Sequence, residues 1–321
     1  LQFAVPPALP YKQHVSNDAS DTINASTRYC AVFGHPISHS ASPVMQNAGL
    51  AALGLNWRYL AFDVHPDQLR SAIEGAKVMG FIGLNLTVPH KMLALDMVDV
   101  VDEQARIWGA VNTIVFQARS ASGQWIPLGT TDSSRHEAVR SHGFNTDADA
   151  VLEALKKFLG VPNLQGLSVL LLGAGGAART AALRLAQEGI GQLYLVNRTQ
   201  EKAIEIADRL AKSCPGMGVK QGYPSLSVDL VINATSLGLK TEDQLPIDKE
   251  WLQKHRPRFV YDMIYRPFET ALLRTARQLG LRTANGMGML LHQGARALEL
   301  WTGRPAPIEA MGAALEKNLC G

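Results

Sequence analysis

The sequence predicts an α/β protein of two domains, and three observations carry that reading. Residues 167–189, LSVLLLGAGGAARTAALRLAQEG, are a short apolar run that breaks into glycines and resumes with helical spacing, which is a strand, a tight turn and a helix. From there, apolar segments near Val169, Leu193, Val219, Leu230, Phe259 and Leu281 alternate with helical stretches, the pattern of a doubly wound parallel sheet. Upstream, strand, helix and strand repeat on a smaller scale between Arg28 and Lys91. A chain of 321 residues, 46% of them apolar, is long enough to bury two such cores.

Composition narrows the partners. The formal charge of +3 is spread without long basic runs, so neither nucleic acid nor a membrane surface is expected. No apolar segment reaches the roughly 18 residues of a membrane span. The expected partner is a small, anionic molecule, bound by a monomer or a homodimer. Cys30, Cys214 and Cys320 are far apart, with no C-x-x-C and no metal-ligand spacing among them and the histidines. They read as free thiols in a reducing, cytoplasmic compartment, and no metal is expected. Sequons at Asn24, Asn85, Asn197 and Asn233 then read as chance matches. The chain begins at Leu1 rather than Met, as a processed or cut chain does. Residues 1–28 are expected to be a flexible arm, 29–146 with 285–321 one domain, and 147–284 the other.

In chain order, residues 28–33 read as a strand that runs into GHPISHSASP, residues 34–43, a loop crowded with hydroxyls and histidines. VMQNAGLAALGL then has helical spacing, with Pro43 at a start where proline is tolerated. Ser40 and Ser42 stand just before that helix, where they either hold a carboxylate or cap the helix. Residues 57–64 form the next strand and 67–79 a helix, after which GFIGLNLTVPHK, residues 80–91, returns as strand and turn. Asn85, Thr87 and Lys91 thus lie at a strand's carboxyl end, the edge where open α/β sheets bind ligands. Residues 102–108 read as a short helix and GAVNTIVF, residues 109–116, as a strand carrying the polar Asn112. Residues 119–142 lack apolar periodicity and read as a hairpin extension or a surface excursion. GFNTD, residues 143–147, opens a helix through Phe158, with Asn145, Thr146 and Asp147 available as cap or first-turn residues.

At the glycine turn, Gly173, Gly175 and Ala178 fit G-x-G-x-x-G/A, so Gly173, Ala174, Gly175, Gly176 and Ala177 would approach a dinucleotide's phosphates at the helix N-terminus. The next strand, 192–196, ends in Asn197-Arg198-Thr199, where an NAD enzyme carries a carboxylate for the ribose hydroxyls. Arg198 and Thr199, with Lys202 one turn into the helix, suit the extra phosphate of NADP instead, because guanidinium grips phosphate in a bidentate fork. The plainer alternative is that Arg198 and Lys202 solvate a helix start. The last two helices, from Asn285 to Trp301 and from Ile308 to Leu319, are amphipathic and are expected to return to the first domain.

Taken together, GHPISHSASP, GLNLTVPHK, GAVNT, GFNTD, GAGGAART, NRT, NATS, YDMIYRP and NGMGMLLHQ occur in the order in which they stand in the shikimate dehydrogenase family, which the chain resembles from Tyr29 onward. The resemblance implies a substrate-binding α/β domain and a Rossmann domain, with the C-terminal helices returning to the first. It implies Ser40 and Ser42 on a substrate carboxylate, Asn85, Thr87, Asn112, Tyr265 and Gln293 around a ring, and Lys91 with Asp147 at the reacting hydroxyl. Thr235, Ser236 and Gly286 join the cofactor set on the same ground. The implied reaction is NADP-dependent interconversion of shikimate and 3-dehydroshikimate, with NAD the less favoured cofactor and quinate the alternative substrate. Oxidising an alcohol needs a group to take its proton while hydride leaves for the nicotinamide, and whether Lys91 or Asp147 does so stays open.

The chain departs from the family pattern at Gln46, where histidine is usual, at Ala150 for glycine, and at Leu239 for methionine. The segment 119–142 departs most, and could cover the cleft or alter substrate choice. It also holds GTTD, residues 129–132, a decoy for GFNTD that lacks a clean helix behind it. Two rival classes remain: a non-catalytic sensor of ring carboxylates, which should have lost Lys91 or Asp147, and a methyltransferase, which should carry an acid where NRT stands.

Overall fold

The computed structural model describes residues 23–131 and 138–320. Most of the expected arm, and Asp132 of the decoy, lie outside the described residues.

The first sheet comprises β1 (Arg28–Gly34), β2 (Trp57–Asp63), β3 (Gly83–Leu86), β4 (Val100–Val101), β5 (Thr113–Arg119), β6 (Trp125–Pro127) and β7 (Val139–Phe144). Its order is β2-β1-β3-β5-β7-β4, with β6 paired to β5. β1 runs parallel to β2 and β3, as the strand–helix–strand pattern requires, while β5 is antiparallel to both β3 and β7. Helices α1 (Ser42–Ala52), α2 (Leu69–Val78), α3 (His90–Leu93) and α4 (Glu103–Trp108) connect these strands.

The strand β7 was not legible because its inward residues are not apolar. Ser141 is fully buried, and its N–H and hydroxyl donate to Asp99 Oδ2 at 2.7 and 2.9 Å. Segment 119–142 also proves not to cover the cleft in its described parts. Thr113 pairs with both Asn85 and Phe144 at the cleft end of β5, whereas Arg119 pairs with Trp125 at the other end. Six residues of strand separate the two ends, roughly 20 Å. The excursion instead packs near the far end of the C-terminal helix pair, where Arg28 donates to the carbonyls of Leu128 and Thr131.

The helix α5 (Asp147–Leu159) leads to the second sheet, built from β8 (Ser168–Leu172), β9 (Gln192–Val196), β10 (Gly218–Gln221), β11 (Leu230–Asn233), β12 (Phe259–Asp262) and β13 (Arg282–Ala284). All pairs are parallel and the order is β10-β9-β8-β11-β12-β13, the doubly wound order with its switch point beside β8. The central strands are apolar because they are covered on both faces. Helices α6 (Gly176–Gln187), α7 (Gln200–Ser213), α8 (Lys249–His255) and α9 (Ala271–Gln278) belong to this unit.

The closing pair, α10 (Met287–Thr302) and α11 (Ile308–Cys320), returns to the first sheet as expected and packs on α1. Trp301 is fully buried, and its indole N–H donates to the Ile114 carbonyl at 3.0 Å over Gly83, where a side chain would collide with the indole. Gln46, the departure on α1, is also fully buried and donates to the Gly294 carbonyl at 3.0 Å, so it ties α1 to α10. Among the described residues, no helix is long and apolar enough to cross a membrane, and no group of three His, Cys, Asp or Glu could hold a metal ion.

Candidate active site

The site lies where the carboxyl ends of both sheets face each other. β3 ends at Leu86, and the turn after it carries Thr87 and then Lys91 on the short α3. That turn is fastened at the backbone: Thr87 N–H donates to the Phe33 carbonyl, and Val111 N–H to that of Lys91 at 2.8 Å. From the other side, β7 ends at Phe144 and Asp147 begins α5. Asn145 Oδ1 accepts the N–H groups of Asp147 and Ala148, at 3.0 and 3.3 Å, so it does the work of an N-cap. The Asp147 carboxylate is thereby left to Lys91, whose Nζ donates to its Oδ2 at 2.7 Å.

Ser40, Ser42, Asn85, Thr87, Lys91, Asp147, Tyr265 and Gln293 line one cavity of ≈ 150 Å³, together with His39, Met263 and Met289. Ser42 lies inside the first turn of α1, and its N–H donates to Ser40 Oγ at 3.3 Å, so Ser40 satisfies the first N–H of the helix while also lining the cavity. Asn85 is held by three partners, accepting from the Tyr59 hydroxyl at 2.8 Å and donating to Thr113 Oγ1 at 3.0 Å and to the Asn112 carbonyl at 3.4 Å. Burial pushes the phenol of Tyr265 up, so it meets the cavity as a neutral hydroxyl.

Asn112, expected at the ring, does not line the cavity. It is 1% exposed and bonds to its neighbour just past the end of β7, donating to Thr146 Oγ1 at 3.0 Å and accepting from the Thr146 N–H at 2.7 Å. It fastens the strand that delivers Asp147. Gly286, expected at the cofactor, lines this first cavity instead, pressed against the Met263 carbonyl where a side chain would not fit. Met263 and Met289 were missed. Met289 was findable, because it stands four residues before Gln293 and so shares its helix face.

A second cavity, of ≈ 490 Å³, is lined by Gly173, Ala174, Gly175, Asn197, Arg198, Thr235 and Ser236. Gly173 has φ +106°, with the Ala234 carbonyl 3.0 Å from where a Cβ would stand, so only glycine turns the chain here. At Gly175 and Gly176 nothing lies within 4 Å of that position, and the turn opens onto the cleft. No side chain caps α6, which leaves its first N–H groups for a ligand. Arg198 is exposed at the mouth and makes no ion pair among the described residues. Thr199 and Lys202 are exposed at the start of α7, off the cavity wall.

Between the two lies a third cavity, lined by Lys91, Asp147, Gly176, Ala177, Thr180 and Met289 among others. Lys91, Asp147 and Met289 therefore face both the first cavity and the approach to the glycine turn.

Three family models match the chain: the "Shikimate dehydrogenase substrate binding domain" over residues 32–114, "Shikimate / quinate 5-dehydrogenase" over 153–260, and the "Shikimate 5'-dehydrogenase C-terminal domain" over 286–316. The chain is 40% identical over 305 residues to a shikimate dehydrogenase (NADP(+)) of Desulforamulus reducens, covering 92% of this chain and 97% of that one. A solved structure of Thermus thermophilus shikimate 5-dehydrogenase with NADP(H) and shikimate is 34% identical, with a TM-score of 0.73 over 90% of this chain and 99% of that one. Quinate dehydrogenase of Corynebacterium glutamicum, solved with NAD, is 28% identical, with a TM-score of 0.74 over 91% and 99% of the two chains.

Proposed function

The chain belongs to the shikimate dehydrogenase family, and from that premise we propose that it interconverts shikimate and 3-dehydroshikimate with NADP. The observation that carries the proposal is the Lys91–Asp147 pair, 2.7 Å apart and lining both the polar cavity and the approach to the glycine turn. An alcohol held there has a proton-accepting pair on one side and a place for a hydride acceptor on the other.

The residues present fit a dinucleotide. The glycine turn is open, α6 offers uncapped N–H groups, and Arg198 is an exposed cation at the mouth with no ion pair among the described residues. When bound, the nicotinamide accepts the hydride from the substrate carbon. Gly173, Gly175 and the start of α6 would hold the pyrophosphate, and Arg198 the extra ribose phosphate, for which no carboxylate competes.

The protein's own part is binding, orientation and proton transfer. Ser40 and Ser42 hold the substrate carboxylate by hydroxyl donors, while Asn85, Thr87, Tyr265 and Gln293 orient the ring hydroxyls. Lys91 and Asp147 act as one hydrogen-bonded unit that takes the hydroxyl proton as the C–H bond gives up its hydride, and returns it in the reverse direction. The low exposure of Asp147, whose side chain is 11% accessible, keeps competing water from one side of the pair.

Initial rates of nicotinamide reduction, with shikimate and quinate each paired with NADP and NAD, test this reading. The highest specificity constant is expected for shikimate with NADP. A clear preference for quinate or NAD would overturn the substrate or cofactor assignment, and no reduction with any ring acid would leave the sensor.

A further inference from the structure

Resting on that reading, we propose that Asp262 is a positioning residue for both halves of the cleft: one buried carboxylate that fixes the cofactor-facing loop through Asn233 and the substrate-facing loop through the backbone of Ile264.

Asp262 is the last residue of β12, in register with Asn233 at the end of β11, and both are fully buried. Its Oδ1 accepts from Asn233 Nδ2 at 3.0 Å and from the Ile264 N–H at 3.1 Å, and its Oδ2 from the Thr270 hydroxyl at 2.7 Å. An ionised carboxylate can only accept, so the NH₂ end of Asn233 must face it. The oxygen of Asn233 is then turned toward Thr235, where it accepts the backbone N–H at 3.0 Å and the hydroxyl at 2.7 Å. Thr235 and Ser236 line the second cavity. On the other side, Ile264 stands between Met263 and Tyr265, which line the first. Asn233 Nδ2 also donates to the Leu237 carbonyl at 3.2 Å, so Asp262 fixes that amide's orientation together with one backbone carbonyl and, through Ile264, the backbone path of the other loop.

The arrangement is pH-sensitive by construction. Burial pushes the Asp262 carboxyl up to about 6, against the pull of its three donors. Among the described residues, no charged side chain touches it. Asn233 from β11 and Thr270 from the start of α9 are neutral, and the titratable neighbour Tyr261 has its own phenol pushed up by burial. A proton is accommodated at Oδ2, because the Thr270 hydroxyl can turn from donor to acceptor while the two N–H donors at Oδ1 cannot. Protonation therefore keeps the fold and turns the bonds at Oδ1 from charge-assisted to neutral, which weakens them about twofold.

The test is Asp262→Asn, with NADPH affinity measured by fluorescence without turnover and shikimate affinity as KM. At pH 7.5 the variant is expected to bind both roughly tenfold more weakly, on the scale of a charge-assisted bond reduced to a neutral one, with kcat changed less. The ratio of wild-type to variant affinity should shrink toward one as pH falls to 5, and taking the ratio cancels the titration of the cofactor's own phosphate. Thr270→Val, which removes the Oδ2 donor and raises the carboxyl further, should move that convergence to higher pH. Unchanged affinities, a loss confined to one ligand, or a ratio independent of pH would overturn the proposal. Wild-type protein that binds NADPH but fails to turn over shikimate would overturn the functional reading instead.

Discussion

Lys91 Nζ and Asp147 Oδ2 lie 2.7 Å apart although 56 residues separate them in the chain, one delivered by the turn after β3 and the other by the first residue of α5. Neither supports a hydrophobic core, so the pair can be altered without dismantling the fold. Lys91→Ala and Asp147→Asn are each expected to lower kcat by about a hundredfold or more, the scale of a positioned proton transfer, with NADPH affinity nearly intact. Because the two act as one unit, the double variant should be little worse than either single one. Single-turnover rates at saturating ligands measure this, and a near-normal rate for either variant removes that residue from the chemistry.

Arg198 stands exposed beside Asn197 at the end of β9, lining the second cavity. Arg198→Ala should weaken NADP binding by roughly 1.5–3 kcal/mol, as for a lost charge-assisted hydrogen bond, and leave NAD use almost unchanged. Titration of both cofactors against wild type and variant decides it. Equal losses would mean that the guanidinium does not read the phosphate.

The closeness of Trp301 to Gly83 makes a sharp stability test of how α10 returns to the first sheet. A methyl group at residue 83 would meet the indole and the Ile114 carbonyl at 2.5 Å or less, so Trp301 would have to leave its place and its hydrogen bond. Gly83→Ala is expected to cost about 1–3 kcal/mol or more, the range of overpacking in a tight core. Denaturant unfolding reads the loss directly, and a melt equal to wild type would show that α10 can slide.

What the sequence disclosed and withheld follows one physical rule. The second sheet was legible because its strands are buried on both faces and so read as unbroken apolar runs, VLLL in β8 and LVI in β11. The strand β7 was not, because Ser141 and Gly143 occupy its inward positions and its burial is satisfied by Asp99 rather than by packing. At the site, residues on turns after strands were findable from position: Ser40, Thr87, Lys91 and Asp147 all line the cavity. Asn112 was read from its place on a strand, where a polar residue has two equally good uses, and its bonds to Thr146 were not legible because they depend on the register of β5 with β7. Asp262 was passed over inside YDMIYRP because nothing in the sequence indicates that β12 ends beside Asn233.

The same carboxylate gives the last prediction, in which stability and binding move in opposite directions. The Asp262 carboxyl is raised from 3.8 to about 6 on folding, so the folded chain holds that proton more tightly than the unfolded one. Between these values the folded state binds more protons, and the contribution of this group to stability therefore falls as pH rises and is fully lost above about 6. At roughly 1.4 kcal/mol per unit, the change amounts to about 3 kcal/mol. Asp262→Asn removes the titration, so the stability of the variant relative to wild type should climb by about that much from pH 4 to pH 7, even as its ligands bind more weakly. Urea unfolding of both proteins across this range measures the difference directly, since all other groups cancel. A difference that is flat with pH would mean that Asp262 titrates alike in the folded and unfolded chains, and that its burial carries no electrostatic cost.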